Sequence, residues 1–105
     1  MWNAVERTQV AAPPGRVWQV VRDLVADARV ARSVEARALE WGATGDDGSA
    51  RHWWIRLDPS WQGTQVEHGC RLAREGQDDE SMTRASVRDE LLHTLREVKA
   101  RAEGR

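Results

Sequence analysis

At 105 residues, with 40% hydrophobic and 31% charged residues, the chain is long enough for one modest core and too short for two, so a single domain over residues 1–105 is expected. Sixteen basic against seventeen acidic residues leave a formal net charge of −1 with both signs mixed along the chain, which argues against nucleic-acid binding and against an acidic solvating tail. The opening "MWNAVERTQV" has no basic region followed by an apolar one, and no window approaches the about 18 apolar residues of a membrane span, so a cytoplasmic protein without a membrane segment is expected.

Residues 2–10 alternate weakly, with Val5 and Val10 among polar neighbours, and predict a strand with one wet face. Pro13 and Pro14 then remove the amide donors a ladder needs and push the preceding residues away from helical dihedrals. Proline is tolerated in the first helical turn, so the same break starts a helix, whose stripe is Val17, Trp18, Val20, Val21 and Leu24.

Residues 25–41, "VADARVARSVEARALEW", fit a helix through Val30, Val34, Ala38 and Trp41, and fit a strand with Val34, Ala36 and Ala38 on one face. Neither pattern wins. The expectation is a second short helix to about Ala31 and a strand from Ser33 to Trp41. "GATGDDGS", residues 42–49, reads as a turn or exposed loop.

"RHWWIRLDP" and "GTQVEHGCRLA" predict a hairpin through "DPSWQG". Pairing Leu57 with Thr64 puts Trp53, Ile55, Leu57, Val66, Cys70 and Leu72 on one face, with His52, Trp54, Arg56, Gln65, Glu67 and Arg71 on the other. On the wet face Arg56 is expected to pair with Glu67. After the acidic linker "GQDDES", with Ser81 or Asp79 as candidate caps, Val87, Leu91, Leu95, Val98 and Ala102 recur at three and four and predict a long C-terminal helix. Glu97 and Arg101 should pair one turn apart, and Gly104 should end the helix.

The chemistry-bearing residues are few. The single cysteine, Cys70, cannot form an intramolecular disulfide and reads as a small core residue in a reducing compartment. His52 faces away from His68 and Cys70 in the expected register, so only two ligands converge and no metal or cofactor is expected. His93 sits on the flank of the C-terminal stripe. Nucleophile triads, phosphate loops and paired-carboxylate motifs are absent at usable spacing, so no catalytic residue is assigned. All large aromatic surface comes from six tryptophans, with no Phe or Tyr, and Trp54 and Trp61 are expected to be exposed.

The strand, then "APPGRVWQVVRDL" with Ala12, Pro13, Val17 and Trp18, then a hairpin with Trp53, Leu57, Gly63, Thr64 and Val66, then "ELLHTLREVKARAE", resembles the START-related helix-grip superfamily, SRPBCC, which includes polyketide cyclases and lipid-transfer domains. The resemblance implies an α+β fold in which an antiparallel sheet grips the C-terminal helix around an apolar cavity. Only about four strands are legible, roughly half of the usual sheet, so an abbreviated helix-grip is expected. The implied function is binding of a small hydrophobic molecule, polyketide-like or lipid-like, between sheet and helix, with polyketide-cyclase-like activity open. The implied lining is Trp18, Val21, Trp53, Ile55, Val66, Leu91 and Leu95. The alternative is a non-enzymatic interaction module whose short sheet is completed by a homodimer or another chain.

Overall fold

The computed structural model describes residues 2–26, 30–44, 50–73 and 80–104. Seven elements follow one another: β1 (Trp2–Val10), α1 (Pro14–Leu24), β2 (Val30–Val34), β3 (Ala38–Thr44), β4 (Ala50–Ser60), β5 (Gly63–Ala73) and α2 (Glu80–Ala102). The strands form one antiparallel sheet in the order β1-β5-β4-β3-β2, so the first strand closes against the last. Both helices pack on the same face of that sheet, burying two apolar clusters.

The proline corner works as expected. Pro13 stands at the N-cap in an extended conformation (φ −68°, ψ 155°), Pro14 begins α1, and Val17, Trp18 and Val21 turn inward and are buried. The corner is also tied to the far end of the chain. Arg16 Nε donates to the Ala102 carbonyl at 2.6 Å, the Ala11 amide donates to Glu103 Oε2 at 2.9 Å, and Lys99 Nζ donates to the Gln9 carbonyl at 2.7 Å. These contacts satisfy a carbonyl at the α2 C-terminus that the helix itself leaves without a donor. Thr64 Oγ1 reaches the Ala12 carbonyl at 2.7 Å, and Gly63, at φ +134°, lets the β4–β5 turn press against the same corner.

Three expectations need correction. The sheet has five strands where about four were expected, because residues 30–44 make a hairpin, β2 and β3, in place of a helix to Ala31 and one strand from Ser33 to Trp41. The hairpin turns at Ala36, whose φ of 59° lies in the left-handed region. Gly or Asn usually marks such a turn, and the alanine hides it. The segment 42–49 is part strand, since β3 runs to Thr44; the remainder, 45–49, lies outside the described residues.

The third correction is one of register. Leu57 pairs with Val66, not Thr64, and Pro59 takes Thr64, giving a tight turn between Ser60 and Gly63. A shift by two residues keeps every side chain on its face, so the expected inner set survives it. Pro59 is tolerated inside β4 because β3 pairs only as far as Arg56, which leaves that edge of β4 without a ladder to break. The α2 stripe is as read: Val87, Leu91 and Val98 are fully buried, with Leu95 and Ala102 nearly so. Glu97 and Arg101 pair at 3.1 Å, and Gly104 takes φ +80° just past the last turn. Ser81 lies inside α2 and so is not its cap, while Asp79 lies outside the described residues. Among the described residues, no helix is long and apolar enough to cross a membrane.

Candidate functional site

Strand register sets which side chains share the helix-facing side. Trp41, Trp53 and Cys70 stand in one row across β3, β4 and β5, and Leu39, Ile55 and His68 stand in the next. Where α1 ends, this face is not fully covered. Arg22, Asp23, Val25 and Ala26 from the end of α1, with Val30, Ser33 and Leu39 from β2 and β3, enclose a half-open cleft of about 450 Å³. Its walls are mainly apolar. Among the described lining residues the charges of Arg22 and Asp23 offset one another, and the adjacent α1 C-terminus adds partial negative charge. Arg22 leans over the Trp18 ring, 6.0 Å from its centroid.

Val30, on the cleft wall, pairs directly with Trp41. The Trp41 ring extends across β4 to His68 on β5, with centroids 5.9 Å apart and planes 29° apart, and Trp53 lies against the same imidazole at 5.9 Å and 35°. Trp41 also packs against both apolar clusters, so it stands at the seam between them. His68 is almost wholly enclosed, at 2% exposure. Its Nδ1 is 2.8 Å from the Trp54 carbonyl oxygen, which can only accept, so Nδ1 carries the proton and Nε2 is left as an acceptor. Burial pushes its pKa down from 6.5 to about 4, against a smaller upward pull from that hydrogen bond.

Two neighbours complete this end of the face. Cys70 is buried, and desolvation raises its thiol pKa to about 11, with Arg51 pulling it down and Glu90 pushing it up by lesser amounts. Such a thiol is a packing group, not a nucleophile. Arg51 holds its Nε in a buried position without a hydrogen-bond partner among the described residues. An unpaired buried donor of this kind costs about 1–3 kcal/mol.

The opposite face of the sheet is a closed polar network. Glu67 receives Arg7 at 2.9 Å and Arg56 at 3.7 Å, as expected of the Arg56–Glu67 pair, and accepts the Trp54 indole N–H at 3.2 Å. His52 bonds Glu40 at 2.8 Å on this side, so it does not converge with His68 and Cys70. Trp54 corrects the expectation of an exposed aromatic. It is on the outer face as read, but only 8% exposed, because its ring lies flat over Gly69, where an added Cβ would meet indole carbons. Trp61, at 92% exposure, is as open as expected.

The seven side chains expected to line a site are all buried on the helix-facing side. Trp18, Val21, Ile55, Val66 and Leu95 belong to the cluster under α1, and Trp53 and Leu91 to the cluster under the first half of α2. The open cleft is lined by other residues, of which Val30, Ser33 and Leu39 come from the stretch whose pattern was ambiguous. Sequence reasoning missed Trp41 for the same reason: as a strand residue next to a loop it gave no sign of spanning two clusters. His93 is exposed on α2.

No family model matches the sequence, and no curated protein does. Solved structures do match its fold. Aha1 of Colwellia psychrerythraea, solved as a dimer, aligns with a TM-score of 0.74 at 14% identity, over 99% of this chain and 98% of that one. An AHSA1-like protein of Rhizobium etli aligns at 0.70 and 18% identity, over 99% and 83% of the two chains. A Polyketide_cyc-like protein of Corynebacterium glutamicum aligns at 0.67 and 16% identity, over 92% and 88%.

Proposed function

We propose that this chain, which has the helix-grip fold of the START-related SRPBCC superfamily in a five-stranded form, binds a small hydrophobic molecule, polyketide-like or lipid-like, on the helix-facing side of its sheet, in the cleft between the end of α1 and the β2–β3 hairpin. The observation that carries this is the half-open cleft of about 450 Å³ on the helix-facing side, within the about 300–1,000 Å³ range of small-molecule sites. A ligand enters beside Val25, Val30 and Leu39. Trp18, Val21, Trp53, Ile55, Val66, Leu91 and Leu95 then form the apolar frame that gives the site its shape. The likeness to a Polyketide_cyc-like protein supports the ligand class by analogy of fold alone.

The test is saturable quenching of tryptophan emission by an apolar fluorescent probe such as 1-anilinonaphthalene. One site per chain is expected, weakened by Ser33→Asp, which puts a charge in the cleft wall at an exposed position. Quenching that rises linearly with probe and never saturates overturns the proposal.

A second reading has its own observation. Among the described residues β2 is an edge strand of the sheet, and Val30 and Val34 on it are 43% and 42% exposed. A second copy pairing along that edge would cover both valines and lengthen the cleft wall. The dimer of the Colwellia protein supports it by analogy. Sedimentation at micromolar concentration should then give a dimer, converted to monomer by Val34→Lys; a monomer throughout overturns it.

A further inference from the structure

The cleft beside α1 changes in character from floor to rim. Leu39, on its floor, is fully buried and Val25 is half-buried, whereas Arg22, Asp23 and Ser33, which line it too, are exposed. The polar groups therefore stand at the mouth with the apolar surface beneath them. A binding cleft divided in this way holds the apolar part of a molecule and orients it by its polar end.

Two of the rim groups carry opposite charges that the fold does not use. Elsewhere on the surface Arg7, Arg32, Arg88 and Arg101 each reach a carboxylate, but Arg22 and Asp23 form no ion pair among the described residues. Nor can they serve one another well, because consecutive positions on a helix do not face each other. Arg22 lies over the Trp18 ring, 6.0 Å from its centroid, and Trp18 is locked in the core at 6% exposure, so the guanidinium is held at the rim without being neutralised. Asp23 stands in the last turn of α1, which ends at Leu24, and its carboxylate adds to the partial negative charge of the helix C-terminus in favouring a cation.

A simple anion at this mouth meets Arg22 but also Asp23 and the helix end; a simple cation meets Asp23 but also Arg22. A molecule with both charges side by side satisfies each. Resting on the ligand-binding reading above, we infer that the cleft takes an apolar α-amino acid as its zwitterion, with the carboxylate on Arg22, the ammonium on Asp23 and the end of α1, and the side chain on Val25, Val30 and Leu39. An α-amino acid carries its two charges on one carbon, as the rim carries its own on adjacent residues, and the Ser33 hydroxyl on the facing strand can donate to or accept from either. This narrows the small hydrophobic molecule to a class set by the rim and not by the likeness of fold.

The experiment is a titration of the full chain, followed in 15N–1H spectra, with phenylalanine, phenethylamine, 3-phenylpropionate and 3-phenylpropanol, which share a ring and differ in charge. Phenylalanine should bind about fivefold tighter than either singly charged analogue, the scale of one ion pair open to solvent, and should shift the amides of Val25, Val30 and Leu39. In Arg22→Gln the advantage over phenethylamine should vanish while that over 3-phenylpropionate persists, and in Asp23→Asn the reverse. Both side chains are exposed, so both variants should unfold as the parent does. Four compounds binding alike, or a singly charged one binding tightest, overturn the zwitterion and leave the apolar cleft standing. None binding, with the cleft amides unmoved, overturns both.

Discussion

The two apolar clusters under α2 share one sheet and are held in different ways. The first, around Val10, Val17, Leu39, Ile55 and Val98, is covered by α1 and by the C-terminal half of α2, and the hydrogen bonds of Arg16, Ala11 and Lys99 tie its rim together. The second, around Trp53, Cys70, Leu72, Val87 and Leu91, is covered, among the described residues, by the earlier half of α2, with Arg88 to Glu6 as its cross-tie. Burial is similar in both, so what differs is the number of elements that must move to open each. Cooperative stability follows such shared covering, and local opening starts where it is thinnest. Trp41, which packs against both clusters and stacks on His68, marks the seam between them.

That contrast can be broken most severely at the corner itself. Gly63→Ala forces a Cβ to within 2.2 Å of the Val10 backbone oxygen and demands a positive φ of a residue that disfavours it, so a loss of about 4 kcal/mol or more is expected in urea unfolding. Next in size, Ile55→Ala in the first cluster should cost about 3–4 kcal/mol and Leu91→Ala in the second about 2–3 kcal/mol. Hydrogen exchange separates them further: Leu91→Ala should speed exchange in the first half of α2 while leaving the amides of residues 95–102 near their global rate.

The seam gives the third effect, through pH. Unfolded His68 takes up a proton as pH falls through 6.5, whereas in the folded protein it resists until about pH 4, so the unfolded state gains. Stability from this group is complete above about pH 7 and declines by about 1.4 kcal/mol per unit below 6.5, to a total of roughly 3 kcal/mol. Urea midpoints at pH 7.5 and 5.0 should differ accordingly in the native chain, and the difference should shrink in His68→Leu. Smallest of all, Ala36→Gly should raise stability by about 0.5 kcal/mol, since glycine removes the strain of φ 59° at some cost in chain entropy; an unchanged melting temperature would show that the β2–β3 turn carries no such strain.

The parts of this architecture that were legible are those where local chemistry and packing agree. Pro13 and Pro14 stop a strand and start a helix by their own geometry, and the five α2 stripe residues recur at three and four over the length of the helix. The β4–β5 faces were right although the pairing was displaced by two, because alternation depends on parity and not on offset. Residues 30–44 were only partly legible, since Ala, Arg and Glu favour helix and the strands exist through pairing, β2 with β3 and β3 with β4. Trp54 was misjudged because its cover is a glycine on the neighbouring strand: the space above Gly69 is a property of two segments together. The cleft was out of reach for the same reason, being assembled from α1, β2 and β3 at once.

Trp61 stands at the tip of the β4–β5 turn, open to water, whereas Trp18, Trp53 and Trp54 are enclosed. Its indole therefore emits at the red edge of the spectrum and is the first to be reached by iodide or acrylamide, a constant background beneath every optical titration of the interior. Replacing it with phenylalanine leaves the blue-shifted signal of the enclosed indoles easier to read, so that a change in the interior is registered by the residues nearest to it.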